Sequence, residues 1–176
     1  MKQNRKGIFI VFLLLISFLI SCEKHYKHDN YLILFTEPTN NLHGYKNLNG
    51  ETIIPPGKYE ICFTDTFRTY AVVLKPQLGF VAIDRQENIL YQVFPFDNGP
   101  DYTSDGLFRI IVNDKIGFAE TITGKVIIKP IFKCAWHFEN GSAKVSNDCT
   151  IDSDGEHTIW LSNNWCYIDK KGNKVK

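Results

Sequence analysis

Five aromatic residues, Phe94, Phe96, Tyr102, Trp136 and Trp160, are the side chains of this sequence best suited to hold a ligand. Exposed ring faces stack on sugars or on partner side chains, whereas rings in register with a fold's own periodicity bury in its core. These five fall outside the recurring positions described below, so they are candidates for a ligand surface. Phe80, Phe118 and Tyr167 occupy recurring positions and are expected inside. Cys62, Cys134, Cys149 and Cys166 add four thiols. Cys134 and Cys149 flank Asn140-Gly141, a hairpin signal, and are the first pair to test for a disulfide. The alternative is buried free thiols, which pack as small hydrophobes.

Other residue types point away from catalysis. Asp148, Asp152, Asp154 and Glu156 surround Gly155 and offer oxygen to a hard cation. Their order lacks the bidentate glutamate of a calcium loop, so a solvated loop is expected and no metal is assigned. His25, His28, His43, His137 and His157 stand in no zinc-protease or Cys-x-x-Cys context. There is no Gly-x-Ser-x-Gly elbow and no phosphate-cradling loop. The expectation is a protein without catalytic residues or cofactor, and not an enzyme.

The N-terminus reads as an address. Lys2, Arg5 and Lys6 precede a 13-residue apolar run, Ile8 to Ile20, broken only by Ser17. That is short of the ~20 residues of a spanning helix and matches a secretory signal. Leu19-Ile20-Ser21-Cys22 resembles the bacterial lipobox. The resemblance implies cleavage after residue 21 and lipid attachment at Cys22, with membrane anchoring through more than one acyl chain. Glu23 follows Cys22, where lipoproteins retained at the inner membrane often carry Asp, so the resemblance implies the outer membrane of a Gram-negative envelope. Residues 22–30 read as a polar tether. Removing residues 1–21 takes three basic residues and no acid, so 20 basic and 19 acidic residues become 17 and 19. No basic footprint for nucleic acid remains.

The elements that must position the aromatics recur. Gly44-Tyr45, Gly79-Phe80, Gly117-Phe118 and the variant Cys166-Tyr167 are spaced 35, 38 and 49 residues apart. Such periods signal a repeat array, which builds surfaces by stacking units. After each pair comes a turn carrying Gly50, Gly124 or Gly172, with Asn88 expected to take the left-handed position in the second copy. Strand-like runs follow, at Thr52-Ile53-Ile54-Pro55, Ile89 to Pro95 and Val126-Ile127-Ile128-Lys129-Pro130.

Phe138-Glu139-Asn140-Gly141-Ser142-Ala143-Lys144-Val145, with Gly117-Phe118 and Ile127-Ile128-Lys129-Pro130, resembles the WG-repeat family. Trp165-Cys166-Tyr167 keeps the tryptophan of the motif but has Cys for Gly, while His43, Leu78 and Ile116 stand where Trp would. The resemblance covers roughly residues 43–176 and carries no catalytic residues. The expected fold is all-β: tandem antiparallel hairpins or meanders, about three strands per repeat, stacked into a twisted sheet, with a small propeller-like array as the alternative. The domain spans 31–176, with repeats near 44–78, 79–116 and 117–163 and a partial unit at 164–176. The expected role is a lipid-anchored envelope module binding a protein or a glycan, the rivals being a structural spacer and a small hydrolase.

Overall fold

β-branched and aromatic residues alternate with polar ones along this chain, and Gly, Asn and Asp punctuate them, a pattern that specifies short antiparallel strands. A computed structural model describes residues 30–153 and 158–175. The expected signal sequence, Cys22, His25, His28, most of the expected tether, Asp154, Glu156 and His157 lie outside the described residues. Among those described, all regular structure is strand.

The strands group into four three-stranded meanders. The first is β1 (Leu32–Thr36), β2 (His43–Lys46) and β3 (Thr52–Ile54). Connecting strands β4 (Ile61–Cys62) and β5 (Thr66–Phe67) lead to the second, β6 (Ala71–Lys75), β7 (Gly79–Ile83) and β8 (Ile89–Val93). A small hairpin, β9 (Pro95–Phe96) and β10 (Gly99–Pro100), precedes the third, β11 (Leu107–Val112), β12 (Lys115–Glu120) and β13 (Val126–Phe132). Strand β14 (Cys134–Ala135) leads to the fourth. Its first strand is β15 (Ser142–Ser146), followed by an inserted hairpin of β16 (Thr150–Ser153) and β17 (Thr158–Leu161), then β18 (Cys166–Asp169) and β19 (Lys174–Val175).

Pairing is antiparallel throughout. The second and third meanders merge through β8 and β11 into a sheet of order β13-β12-β11-β8-β7-β6-β4. The first and fourth form sheets of order β3-β2-β1-β5 and β14-β15-β18-β19. All these sheets are open, and the continuous sheet shared by the second and third meanders, unlike separate blades, favours the stacked-meander expectation over the propeller. The stretch 164–176, expected as a partial unit, supplies β18 and β19, and β15 from the preceding stretch completes the fourth meander.

The core lies at the junctions between successive units. Tyr45, Ile54 and Phe67 pack with Val73, Val81 and Ile83 between the first and second. Tyr91, Val93, Phe108, Ile110 and Ala119 pack between the second and third. Phe118, Ile128 and Phe132 pack with Phe138, Val145 and Ile168 between the third and fourth. A lone meander is marginal, so each unit owes its stability to the face its neighbour covers. Residues 31–176 accordingly form one compact unit.

One turn is reproduced in three units. Asn47 Oδ1 accepts hydrogen bonds from the Asn49 and Glu51 amides, at 3.0 and 2.9 Å. Asp84 Oδ1 accepts from Gln86 and Asn88, both at 2.9 Å, and Asp169 Oδ1 from Lys171 and Asn173, at 2.9 and 2.8 Å. The left-handed residue of this turn is Gly50 in the first unit and Gly172 in the fourth, but Glu87, at φ 64°, in the second. Asn88 does not take that position. Lys58 and Tyr59 hold the Glu87 carboxylate at 2.7 and 2.8 Å and fix the conformation from the preceding segment. Burial opposes ionisation of this carboxyl, but those two donors and the Lys58 charge prevail, and it sits below the usual range.

These turns also fix the register of the repeat. Tyr45 pairs with Ile54, Ala82 with Tyr91, Phe118 with Ile128 and Tyr167 with Val175. The structural equivalent of Gly44 and Gly117 is therefore Val81, not Gly79. Gly79 instead closes the β6–β7 hairpin with φ 74°. A side chain at Gly44 would meet Ile54 O at 2.6 Å and Pro56 N at 2.9 Å, and one at Gly117 would meet Ile128 O at 2.5 Å and Pro130 N at 2.6 Å. The glycine of the motif exists because the backbone of the neighbouring third strand, at Ile54–Pro56 or Ile128–Pro130, comes too close to it for a side chain, and Pro130 lies within β13 rather than ending it. Of the rings expected inside, Phe118 is buried and Phe80 half-buried, but Tyr167 is exposed.

Candidate functional site

Alternation along the fourth sheet decides which residues face outward. Ala135, Val145 and Cys166 point toward the core, with Ala143 and Ile168 beside them. The opposite face carries Trp136, Lys144 and Tyr167 in a row across three strands. Lys144 and Tyr167 are direct partners, and the Trp136 amide donates to Lys144 O at 2.9 Å. Trp136 and Tyr167 remain 42% and 45% exposed, because nothing in the meander itself covers that face.

The inserted hairpin forms a wall beside this row. Cys134 and Cys149 are joined in a disulfide, both fully buried, with Cα atoms 6.2 Å apart. Cys62 and Cys166 are free. Asp148 accepts from the Ser146 and Ser162 hydroxyls, each at 2.8 Å, and from the Asn164 amide, and these bonds, Asn164's foremost, hold its carboxyl below the usual range. Disulfide and carboxylate thus clamp both ends of the insert to the sheet. Trp160 on β17 is thereby set edge-on to Trp136, with centroids 5.4 Å apart at 66°.

The resulting groove encloses about 530 Å³ and is lined by Trp136, Trp160, Trp165 and Tyr167 with Lys144 and Glu139. Asn140, Ser142 and His137 complete its lining. All three tryptophans of the chain are here. Lys144 Nζ sits over the Trp165 ring, 4.9 Å from its centroid, where cation and ring face attract.

A second aromatic patch joins the groove at His137. Tyr102 Oη lies 2.6 Å from His137 Nε2, and the Tyr102 ring packs on the imidazole and on Phe96 at 4.9 and 5.1 Å. His137 Nδ1 is buried without a hydrogen-bond partner. A bare acceptor is tolerated there better than an orphaned N–H, which favours Nε2–H donating to Tyr102. The Tyr102 hydroxyl proton is then free to be offered outward. Burial, the largest effect on this phenol, pushes its pKa up, which keeps it a donor.

Beneath both patches lies Arg109, 2% exposed. Its backbone amide and Nε donate to Asp101 Oδ2 at 2.8 and 3.0 Å, and Nη2 donates to Oδ1 at 2.5 Å. Nη1 donates to Ala135 O at 3.2 Å, and the guanidinium lies over the Phe94 and Phe96 rings at 4.2 and 5.7 Å. Phe94 in turn meets Trp160 edge-on at 5.8 Å. One buried cation therefore connects the β9–β10 hairpin, the start of the fourth sheet and the insert.

All five aromatics singled out in the sequence converge here. Phe96, Tyr102 and Trp136 are exposed, and Phe94 and Trp160 are half-buried supports. Sequence reasoning missed Trp165, Tyr167, Lys144, Glu139, His137 and Arg109. The missed signal was alternation: once Asn140-Gly141 is read as a two-residue turn, Lys144 falls on the outward face. Asp152 lies on β16, away from the row, and among the described residues no group of three or more His, Cys, Asp or Glu could hold a metal.

Residues 116–148 match the WG containing repeat. No curated protein and no solved structure matches the chain. The matched stretch runs from β12 through β13 and β14 to β15, so the sequence unit is two strands of one meander plus the first strand of the next. What repeats is a junction, with Phe118, Ile128 and Phe138 as its packed centre. By that match the chain carries a WG repeat at the junction of its third and fourth units, and the Phe118–Ile128 pairing inside it has counterparts in Tyr45–Ile54 and Ala82–Tyr91.

Proposed function

We propose that this protein is a lipid-anchored module of the bacterial cell envelope that binds a protein or glycan through the aromatic groove of its fourth unit. One observation carries the binding reading: the rings outside the repeated core positions gather on one face, with the insert clamped beside them. A monomeric fold that leaves such rings exposed together presents an interaction site. The anchoring half rests on the lipobox-like Leu19-Ile20-Ser21-Cys22. Glu23 supports the outer membrane. In this proposal the protein holds its ligand and does not transform it.

Two measurements test it. Labelling of cells with a palmitate analogue should mark the wild-type chain and not Cys22→Ala; equal labelling of both would overturn the anchor. Pull-down from envelope extracts should retain a component on the wild type that Trp136→Ala/Tyr102→Ala loses. Equal retention by both, or none by either, would move the protein to the structural-spacer class.

A further inference from the structure

We infer that the groove's ligand is an uncharged glycan, an assignment that rests on the binding reading above and narrows it. A pyranose ring has an apolar C–H face and a rim of hydroxyls, so its receptor needs ring faces interleaved with short polar side chains. The outward row provides both. Trp136, immediately after β14, and Tyr167 on β18 lie on either side of β15. Adjacent strands lie ~4.8 Å apart, so these rings are about 10 Å apart, the length of two linked pyranoses. Glu139, Asn140 and Ser142 bring a carboxylate, an amide and a hydroxyl to one end of the groove, and Tyr102 presents its hydroxyl proton beyond His137.

Charge argues for a neutral ligand. Glu139 and Lys144 put one charge of each sign into the lining, and Lys144 Nζ lies over the Trp165 ring. Neither a polyanion nor a basic peptide finds a complementary field.

Backbone geometry argues against a polypeptide. The central floor strands β15 and β18 are each paired on both sides, so an extended peptide lying on the floor cannot add a strand to them. A polyproline helix needs slots between upright rings, and the Trp136–Trp160 pair closes on itself edge-to-face at 66°. Trp136, 42% exposed, keeps ring surface open for stacking.

The experiment titrates the full-length chain, held in a non-glycosidic detergent, and follows tryptophan emission. The probes are cellohexaose, chitohexaose and maltohexaose, with polygalacturonate and a proline-rich decapeptide as competitors for the assignment. At least one neutral hexasaccharide should give a saturable response. Trp136→Ala should weaken it about tenfold or more, and Tyr102→Phe by a few-fold. Ile122→Ala, exposed away from the groove, should leave it unchanged. A response confined to polygalacturonate or the peptide, or no response to all three neutral sugars, overturns the assignment. If Trp136-dependent capture from envelope extracts survives that outcome, the binding module stands and only its ligand class falls.

Discussion

Asp101 and Arg109 form a bidentate ion pair sealed from solvent, with Nη2–Oδ1 at 2.5 Å and side-chain exposures of 0% and 3%. Removing one partner leaves a charge without counter-charge in a low-dielectric site. Asp101→Asn should therefore destabilise the domain by about 3–5 kcal/mol, measured by urea unfolding. Replacing both residues by apolar side chains of similar size should recover most of that loss. Asp101→Asn should also blue-shift or broaden tryptophan emission through Phe94 and Trp160, a readout that distant core mutations would not move.

Gly117 and Gly79 look equivalent in sequence and should behave oppositely. Gly117→Ala places a methyl 2.5 Å from Ile128 O and should cost about 1–3 kcal/mol, because backbone must shift. Gly79 has open space around it and φ 74°. Gly79→Asn should cost well under that, since Asn tolerates the left-handed region. Thermal unfolding of the two variants checks the order.

Acid should loosen the repeated turns. The carboxyls of Asp84 and Asp169 are held below the ordinary 3.8, first by the side-chain amides of Asn88 and Asn173 and then by backbone amides. A depressed folded-state pKa gives stability that is full above the unfolded value and is lost as pH falls through the lowered one. The stability-against-pH curve should thus drop below about pH 4. Asp84→Asn/Asp169→Asn should flatten that drop, because Asn47 already builds the same turn in the first unit without a charge. An unchanged acid limb would refute the assignment.

The Cys134–Cys149 bond spans 15 residues. A loop of that length contributes about 3 kcal/mol by the chain-entropy account. Cys134→Ala/Cys149→Ala should lose roughly that in urea unfolding, and its groove should lose Trp136–Trp160 contact before the rest of the fold melts. Since both sulfurs are buried, mild reductant should act on the wild type only after local opening.

Much of this was legible in the sequence because the signals were local. Asn140-Gly141 dictates a two-residue turn, with φ 52° and 80°, and the alternation around it places Ala143 and Val145 inside. Cys134 and Cys149 flank that hairpin, which made them the first pair to test, and the structure joins them where buried free thiols were the alternative. The five aromatics could be found by subtracting the repeat. The second unit misled because its glycine belongs to a different hairpin. Glu87 adopts a conformation that no local rule favours, since partners 28 and 29 residues away hold it there. Arg109 was invisible for the same reason: a charged residue in an apolar strand reads as an edge, and only the fold supplies Asp101, Phe94 and Ala135 O around it.

The hairpin β16–β17 occupies the connection between the first and second strands of its meander, which the third meander closes with Asn113-Asp114 alone. Apart from Asp148, Cys149 and Trp160, which tie the insert to its sheet and core, the meander plan has no need of this hairpin. Exchanging that hairpin while keeping its clamp would thus rebuild one wall of the groove and leave the floor of Trp136, Lys144 and Tyr167 in place.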